Sequence, residues 1–204
     1  MPRNRLLLIA LLVLSVVAVA SHDGKLWSRS HDGFTRYRDI AIYNAALGPT
    51  APNLTVVGTF LVGCFGANAE QAYMSFEVPD DWVGGEDIDL EIYWTNEAGD
   101  ALTDGETVIF VINYRVIDFD AGETITNGTM ATDTVTYTQS GAGTNLEAHE
   151  IGFALDWDHA DQPLVVGQRV GIIFNRVATA DTYSGDACIE MFEIKYTAND
   201  FTQH

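Results

Sequence analysis

Residues 165–196, V165-VGQRVGIIFNRVATADTYSGDACIEMFEIK-Y196, decide the fold class, because they contain two apolar runs whose periodicity is two and not 3.6. In the first run Val170, Ile172 and Phe174 alternate with Arg169, Gly171 and Asn175, up to Arg176. In the second, Cys188, Phe192, Ile194 and Tyr196 fall on one face with Glu190 as the odd member, while Glu193 and Lys195 close the other. A polar loop with Asp181, Gly185 and Asp186 joins the two runs, so the stretch reads as two β-strands in succession. A lone hairpin of this size is marginal in water, and the strands therefore need a larger sheet.

Working outward, the remainder of the chain breaks into similar runs with no sustained helical period. Strands are expected over 55–65, 71–78, 87–95, 107–118, 131–138, 147–155, 168–176 and 187–197. The third is the cleanest, with Ile88, Leu90, Ile92 and Trp94 against Asp87, Asp89 and Glu91, and the run over 71–78 is its expected pairing partner. The fourth, VIFVINYRVIDF, is apolar on both faces and should lie inside a sheet. Eight strands with turn residues between them predict an all-β, two-sheet antiparallel sandwich, jelly-roll-like, with Ile88, Leu90, Ile92, Trp94, Phe174 and Phe192 in the core.

The two cysteines, Cys64 and Cys188, sit in the first and last expected strands. Such strands are often neighbours in a closed sandwich, which makes a Cys64–Cys188 disulfide the expected state of an exported chain.

Export itself is read from residues 1–20, MPRNRLLLIALLVLSVVAVA: two arginines, an uncharged run from Leu6 to Ala20, and Ala18-Val19-Ala20. That is the layout of a signal peptide, although an uncleaved membrane anchor is the alternative. The run is short against the about 20 residues that span a bilayer. An extracellular, cell-surface or virion-surface location follows, with membrane contact confined to this segment.

Residues 21–53 form an expected extended arm and linker, 54–198 the sandwich, and 199–204 a tail. The arm opens on a tandem nonapeptide, SHDGKLWSR followed by SHDGFTRYR. Residues 21–42 carry a net charge of +1, whereas residues 43–204 carry −22. Trp27, Arg29, Phe34, Arg36, Tyr37 and Arg38 are thus candidates for docking onto the acidic body of another copy, giving a homo-oligomer or polymer.

Charge also excludes functions. With 29 acidic against 10 basic residues and a net charge of −19, the chain repels phosphate backbones, and nucleic acid is not an expected partner. No H-E-x-x-H, G-x-S-x-G or Walker sequence is present, and the five histidines lack metal-ligand spacing, so no enzyme and no obligatory cofactor are predicted. Alternating carboxylates at Asp156, Asp158 and Asp161 are candidate calcium ligands, as are Asp118, Asp120 and Glu123, although neither run completes an EF-hand pattern. Solvated acidic loops are the simpler reading of both. The sequons N-L-T at Asn53 and N-G-T at Asn127 are acceptor sites for glycosylation.

The run Phe76-Glu77-Val78-Pro79-Asp80-Asp81-Trp82-Val83-Gly84-Gly85, leading into DLEIYWT, together with the ending ADTYSGDACIEMFEIKY, resembles a jelly-roll-like β-sandwich domain of virion-associated proteins of phages and environmental viruses. The resemblance spans Val56 to Thr197 and implies a non-enzymatic structural subunit. The alternative function is an exported glycan-binding module using exposed aromatics such as Trp82 and Trp157, with calcium as an optional aid.

Overall fold

The computed structural model describes the backbone of residues 34–40 and the whole of residues 51–57, 59–66, 70–119, 121–123, 128–177 and 180–199. Ten strands are present among them: β1 Phe34–Ile40, β2 Asn53–Val57, β3 Phe60–Phe65, β4 Gln71–Glu77, β5 Ile88–Asn96, β6 Thr107–Ile117, β7 Ala131–Thr138, β8 Ala148–Leu155, β9 Arg169–Arg176 and β10 Ala187–Ala198. No helix occurs among the described residues.

The pairing follows one rule. β3 pairs with β10, β4 with β9, β5 with β8 and β6 with β7, all antiparallel, so the chain from β3 onward is a doubled ribbon nested about the β6–β7 connection. Wrapping that ribbon brings β10 against β5 and β6 against β9. The result is two sheets, β2-β3-β10-β5-β8 with β1 also on β10 (sheet A) and β4-β9-β6-β7 (sheet B). This is the strand order of a jelly roll, the all-β sandwich that the sequence predicts.

Alternation fills the space between the sheets. Ile88, Leu90, Ile92 and Trp94 of β5, Val108, Phe110, Ile112 and Tyr114 of β6, Phe174 of β9 and Phe192 of β10 are all buried in one continuous core. Phe174 sits at its centre, edge-on to Phe65 at 5.1 Å and to Phe192 at 5.2 Å, and stacked on Phe110 at 5.4 Å.

Four expectations need correction. The run 55–65 is not one strand but the hairpin β2–β3, since Val57 pairs with Phe60 across a two-residue connection. β4 does not pair with β5: it lies in the opposite sheet, because a nested ribbon sends successive strands to different sheets. The two strands of the opening stretch likewise part company, β9 in sheet B and β10 in sheet A. Finally, Cys188 does not share a face with Phe192. A β-bulge between Ile189 and Met191 inserts one extra residue at Glu190, so Ile189 and Phe192 point inward while Cys188 points outward.

The β9–β10 crossover is held by Arg176, whose side chain is fully buried. Its Nε donates to Asp181 Oδ2 at 2.7 Å and its Nη2 to Oδ1 at 3.2 Å. Nη1 also donates to the carbonyl oxygens of Phe65 (3.0 Å) and Gly185, and Nη2 to that of Tyr183. The guanidinium lies 5.4 Å from the Tyr183 ring, and the Tyr183 hydroxyl donates to the Asp100 carbonyl at 2.7 Å. One cation thus ties β9, β3 and the loop of the β9–β10 crossover together.

Cys64 and Cys188 are joined by a disulfide, on residues directly opposite each other in β3 and β10. With Val62 and Val57 they form a small apolar cluster on the outward side of sheet A.

His149 of β8 points into the sandwich between Trp94 (4.6 Å) and Tyr137 (4.7 Å), and its Nε2 has no hydrogen-bond partner among the described residues. Burial holds its pKa below 6.5, against a smaller opposite pull from Glu147. The unfolded chain therefore takes up a proton just below 6.5 that the folded chain refuses. Stability is fully present above that pH and declines as the pH falls through it. His149→Phe is expected to remove this component, flattening the dependence of the urea midpoint on pH between neutrality and the onset of carboxylate titration.

Candidate functional site: the outer face of sheet B

The two outward faces of the sandwich differ in chemistry, and the difference is written in the odd-numbered or even-numbered positions of each strand. On sheet A the outward residues include Asp89, Glu91, Glu150 and Glu193. The Tyr93 hydroxyl lies 2.8 Å from a carboxylate oxygen of both Glu91 and Glu193, which share its one hydrogen, and Lys195 pairs with Glu91 and, at 3.6 Å, with Glu150. Burial, reinforced by Glu91 and Asp87, raises the pKa of Asp89. Desolvation would also raise Glu91, but hydrogen bonds from Lys195 and Tyr93 outweigh it and hold the carboxyl low. This side of the sheet is acidic, and its carboxylates are partly shielded from water.

Sheet B is the reverse. Across it, one row is Tyr73–Ile173–Asn113–Thr132 and the next is Gln71–Asn175–Val111–Thr134. Thr136, Thr138, Ile109 and Ser75 extend the rows. Among the described strand residues the one carboxylate on this face is that of Glu77, at its corner, and Arg169 pairs with it at 3.7 Å. Arg115 of β6 stands in the row of Ser75 and Gly171, and the remaining polar groups of the strands are amides and hydroxyls. The Tyr73 hydroxyl donates to Gln71 Oε1 at 2.8 Å and Thr132 Oγ1 donates to Asn113 Oδ1 at 2.8 Å, so neighbouring side chains fix each other's orientation. With its oxygen engaged, each amide presents its nitrogen as the donor. Between them Tyr73, Ile173, Val111 and Ile109 make a half-exposed apolar strip.

Why the sequence folds this way is local. β7 is ATDTVTYT, in which four threonines at alternate positions take the exposed side while Ala131, Val135 and Tyr137 turn inward. β6 and β9 are β-branched on both faces, which suits inner strands, and Asn113 and Asn175 interrupt only the outward set.

The residues singled out in the sequence are dispersed. Trp157 is exposed, in the loop after β8, but Trp82 is buried at 4% exposure: its ring packs into the core beside an isolated bridge to Ala198, which corrects the expectation of an exposed aromatic. Asp156 Oδ1 accepts the Asp158 amide at 3.3 Å, His159 Nδ1 accepts the Asp161 amide at 3.2 Å, and Asp87 Oδ1 accepts the Trp157 amide at 3.0 Å. These are bonds that shape a loop, and no group of three or more His, Cys, Asp or Glu converges as a metal site among the described residues. The side-chain hydrogen bond from Asp156, with a smaller desolvation contribution, raises the pKa of Asp158. Asp118 and Glu123 bond within their own loop, through the Ala121 and Asp118 amides, and Asp120 is outside the described residues.

Asn53 is the exposed first residue of β2, and Asn127 is outside the described residues. Of the arm, Phe34, Arg36, Tyr37 and Arg38 lie in β1, opposite Ala198, Tyr196, Lys195 and Ile194 of the same chain, while Trp27 and Arg29 are outside the described residues.

No family model and no curated protein matches this sequence. Among solved structures the chain is similar to the CBM36-1 domain of a multidomain xylanase from the hindgut metagenome of Trinervitermes trinervoides, at 12% identity over 79% of this chain and 96% of that one, with a TM-score of 0.41. A family 35 carbohydrate binding module from Clostridium thermocellum matches at 11% identity over 78% and 97%, also at 0.41. The enzymatically active domain of tailspike protein 4 of bacteriophage CBA120 matches at 13% identity over 79% of this chain and 19% of that one, at 0.32. At these scores the fold rests on the strand pairing above, and the outer face of sheet B is read from its own chemistry.

Proposed function

We propose that this chain is a non-catalytic binding module that takes a neutral, polyhydroxylated ligand, a glycan, on the outer face of sheet B. The observation that carries the reading is the charge pattern: a chain of net charge −19 leaves one sheet face with a single carboxylate on its described strands, beside Arg115 and Arg169, and fills the rest with amides, hydroxyls and an apolar strip. A sugar ring has the complementary surface, since each hydroxyl both donates and accepts and its C–H edges favour an apolar, aromatic seat. Acidic polysaccharides are disfavoured by the field of the body. The cross-strand disulfide supports an oxidising, extracellular setting, where such ligands occur.

The test is binding to a panel of neutral and acidic polysaccharides by affinity electrophoresis, with calorimetry on the best oligosaccharide. Tyr73→Ala and Asn113→Ala are each expected to weaken binding about tenfold or more, the size of one lost anchoring contact. Asp158→Asn and chelation by EDTA are expected to leave it unchanged. Binding that survives both sheet variants but disappears with EDTA would move the site to the 156–161 loop.

A further inference from the structure

A strand edge that carries no charge is exceptional on this molecule, and β2 is such an edge. Among the described residues five strands have only one neighbour: β1, β2, β4, β7 and β8. β1 contains Arg36, Arg38 and Asp39; β4 contains Glu77, β7 Asp133 and β8 Glu150. Charges on edge strands block pairing with other chains. β2, Asn-Leu-Thr-Val-Val, contains none, and it lies within an uncharged run from Ile40 to Ala69 in a chain that is 19% charged.

The same hairpin holds an apolar surface. Leu61 shares the face that carries Phe65 into the core, and pairing places Val56 opposite Leu61 and Leu54 opposite Gly63 on that face. There the cover of the sandwich has run out: Leu54 is 56%, Val56 68% and Leu61 48% exposed.

We infer that β2 is the contact between two copies of this chain, which join edge to edge about a two-fold axis into one continuous sheet. The occupant is a second copy because the charge pattern selects it. Two copies of net charge −19 repel wherever charged surfaces meet, and among the described strand edges β2 is the one at which they can pair without apposing charged side chains. An antiparallel strand pair about a two-fold is self-complementary, each copy supplying both donors and acceptors. Directly opposed residues in such a pair share a face, so the axis passes through a residue and not between two. Centring it on Thr55 sets Leu54 of each copy opposite Val56 of the other, and joins the two apolar patches.

The test is light scattering and sedimentation on the full chain after export, over a range of concentration and from low to near-molar salt. A dimer is expected whose population rises with salt, because screening weakens the repulsion between the bodies and leaves the uncharged contact intact. Val56→Lys, at an exposed position, is expected to give a monomer with an unchanged thermal unfolding profile. Thr55→Cys, mildly oxidised, is expected to give a covalent dimer on a non-reducing gel. The inference is overturned by a wild-type chain that stays monomeric throughout, by a dimer that survives Val56→Lys, by a Thr55→Cys dimer that does not cross-link, or by an assembly that weakens as salt rises, which would assign the contact to the arginines of the arm.

Discussion

Replacing Arg176 with methionine is expected to destabilise the folded chain by about 3–5 kcal/mol, the usual loss when one member of a buried ion pair is removed. Both side chains are sealed from water, Arg176 at 0% and Asp181 at 2% exposure. The variant therefore strands a carboxylate in a place where its charge has no compensation, together with the carbonyls of Phe65, Tyr183 and Gly185. Methionine fills most of the volume, so the loss is one of polar partners and not of packing. The damage should also be localised before it is global. Amide exchange is expected to rise first in residues 181–186 and at the end of β3, the segments the guanidinium joins. The double variant Arg176→Met/Asp181→Leu should recover part of the loss, because it removes the orphaned charge but not the orphaned carbonyls. Urea unfolding of the three proteins measures this, and a single variant within about 1 kcal/mol of wild type would mean that the carbonyls rehydrate freely.

Arg176 also shows where the sequence is mute. Its position in the chain, at the end of an apolar run and before a polar loop, is where an exposed arginine ordinarily stands, and nothing local marks it as buried. What buries it is the crossover from sheet B to sheet A, a property of topology. The strands themselves were legible, since alternation at Ile88–Trp94 or Val170–Phe174 is imposed by one-sided burial and needs no knowledge of partners. Which strand pairs with which was legible only for Cys64 and Cys188, whose chemistry reaches across the fold. The β2–β3 turn and the Glu190 bulge were hidden for one common reason: each is a local slip in a period of two, and an apolar-rich run absorbs such a slip without changing its composition. The outer face of sheet B was hidden differently. Its amides and threonines come from four strands, each unremarkable alone, and they make a surface only when the register sets Tyr73, Ile173, Asn113 and Thr132 in line.

Removing the Cys64–Cys188 bond, by Cys64→Ser/Cys188→Ser, is expected to lower stability by about 4–5 kcal/mol in the chain-entropy model, because the bond closes a loop of 124 residues. For a domain of this size that corresponds to a fall in Tm of roughly 10–15 °C. The position of the bond adds a further consequence. β3 meets β10 over only three residue pairs, Phe65–Ala187, Cys64–Cys188 and Gly63–Ile189, and β2 is attached to the molecule through β3 alone among the described strands. The disulfide is thus the rivet of the hairpin that carries the uncharged edge. In the serine variant two hydroxyls replace sulfur in an apolar cluster with Val62 and Val57, and the hairpin should fray at temperatures where the other strands remain protected. Amide exchange in residues 53–65 is expected to approach the rate of an open segment well below the global Tm, and any association through β2 should weaken in parallel. Thiol titration of the unfolded, unreduced wild-type chain is expected to find no free cysteine. If the variant instead unfolds as one unit, with residues 53–65 as protected as β5 and β6, then the three backbone pairs and Phe65 alone hold the hairpin, and the bond acts only through the unfolded chain.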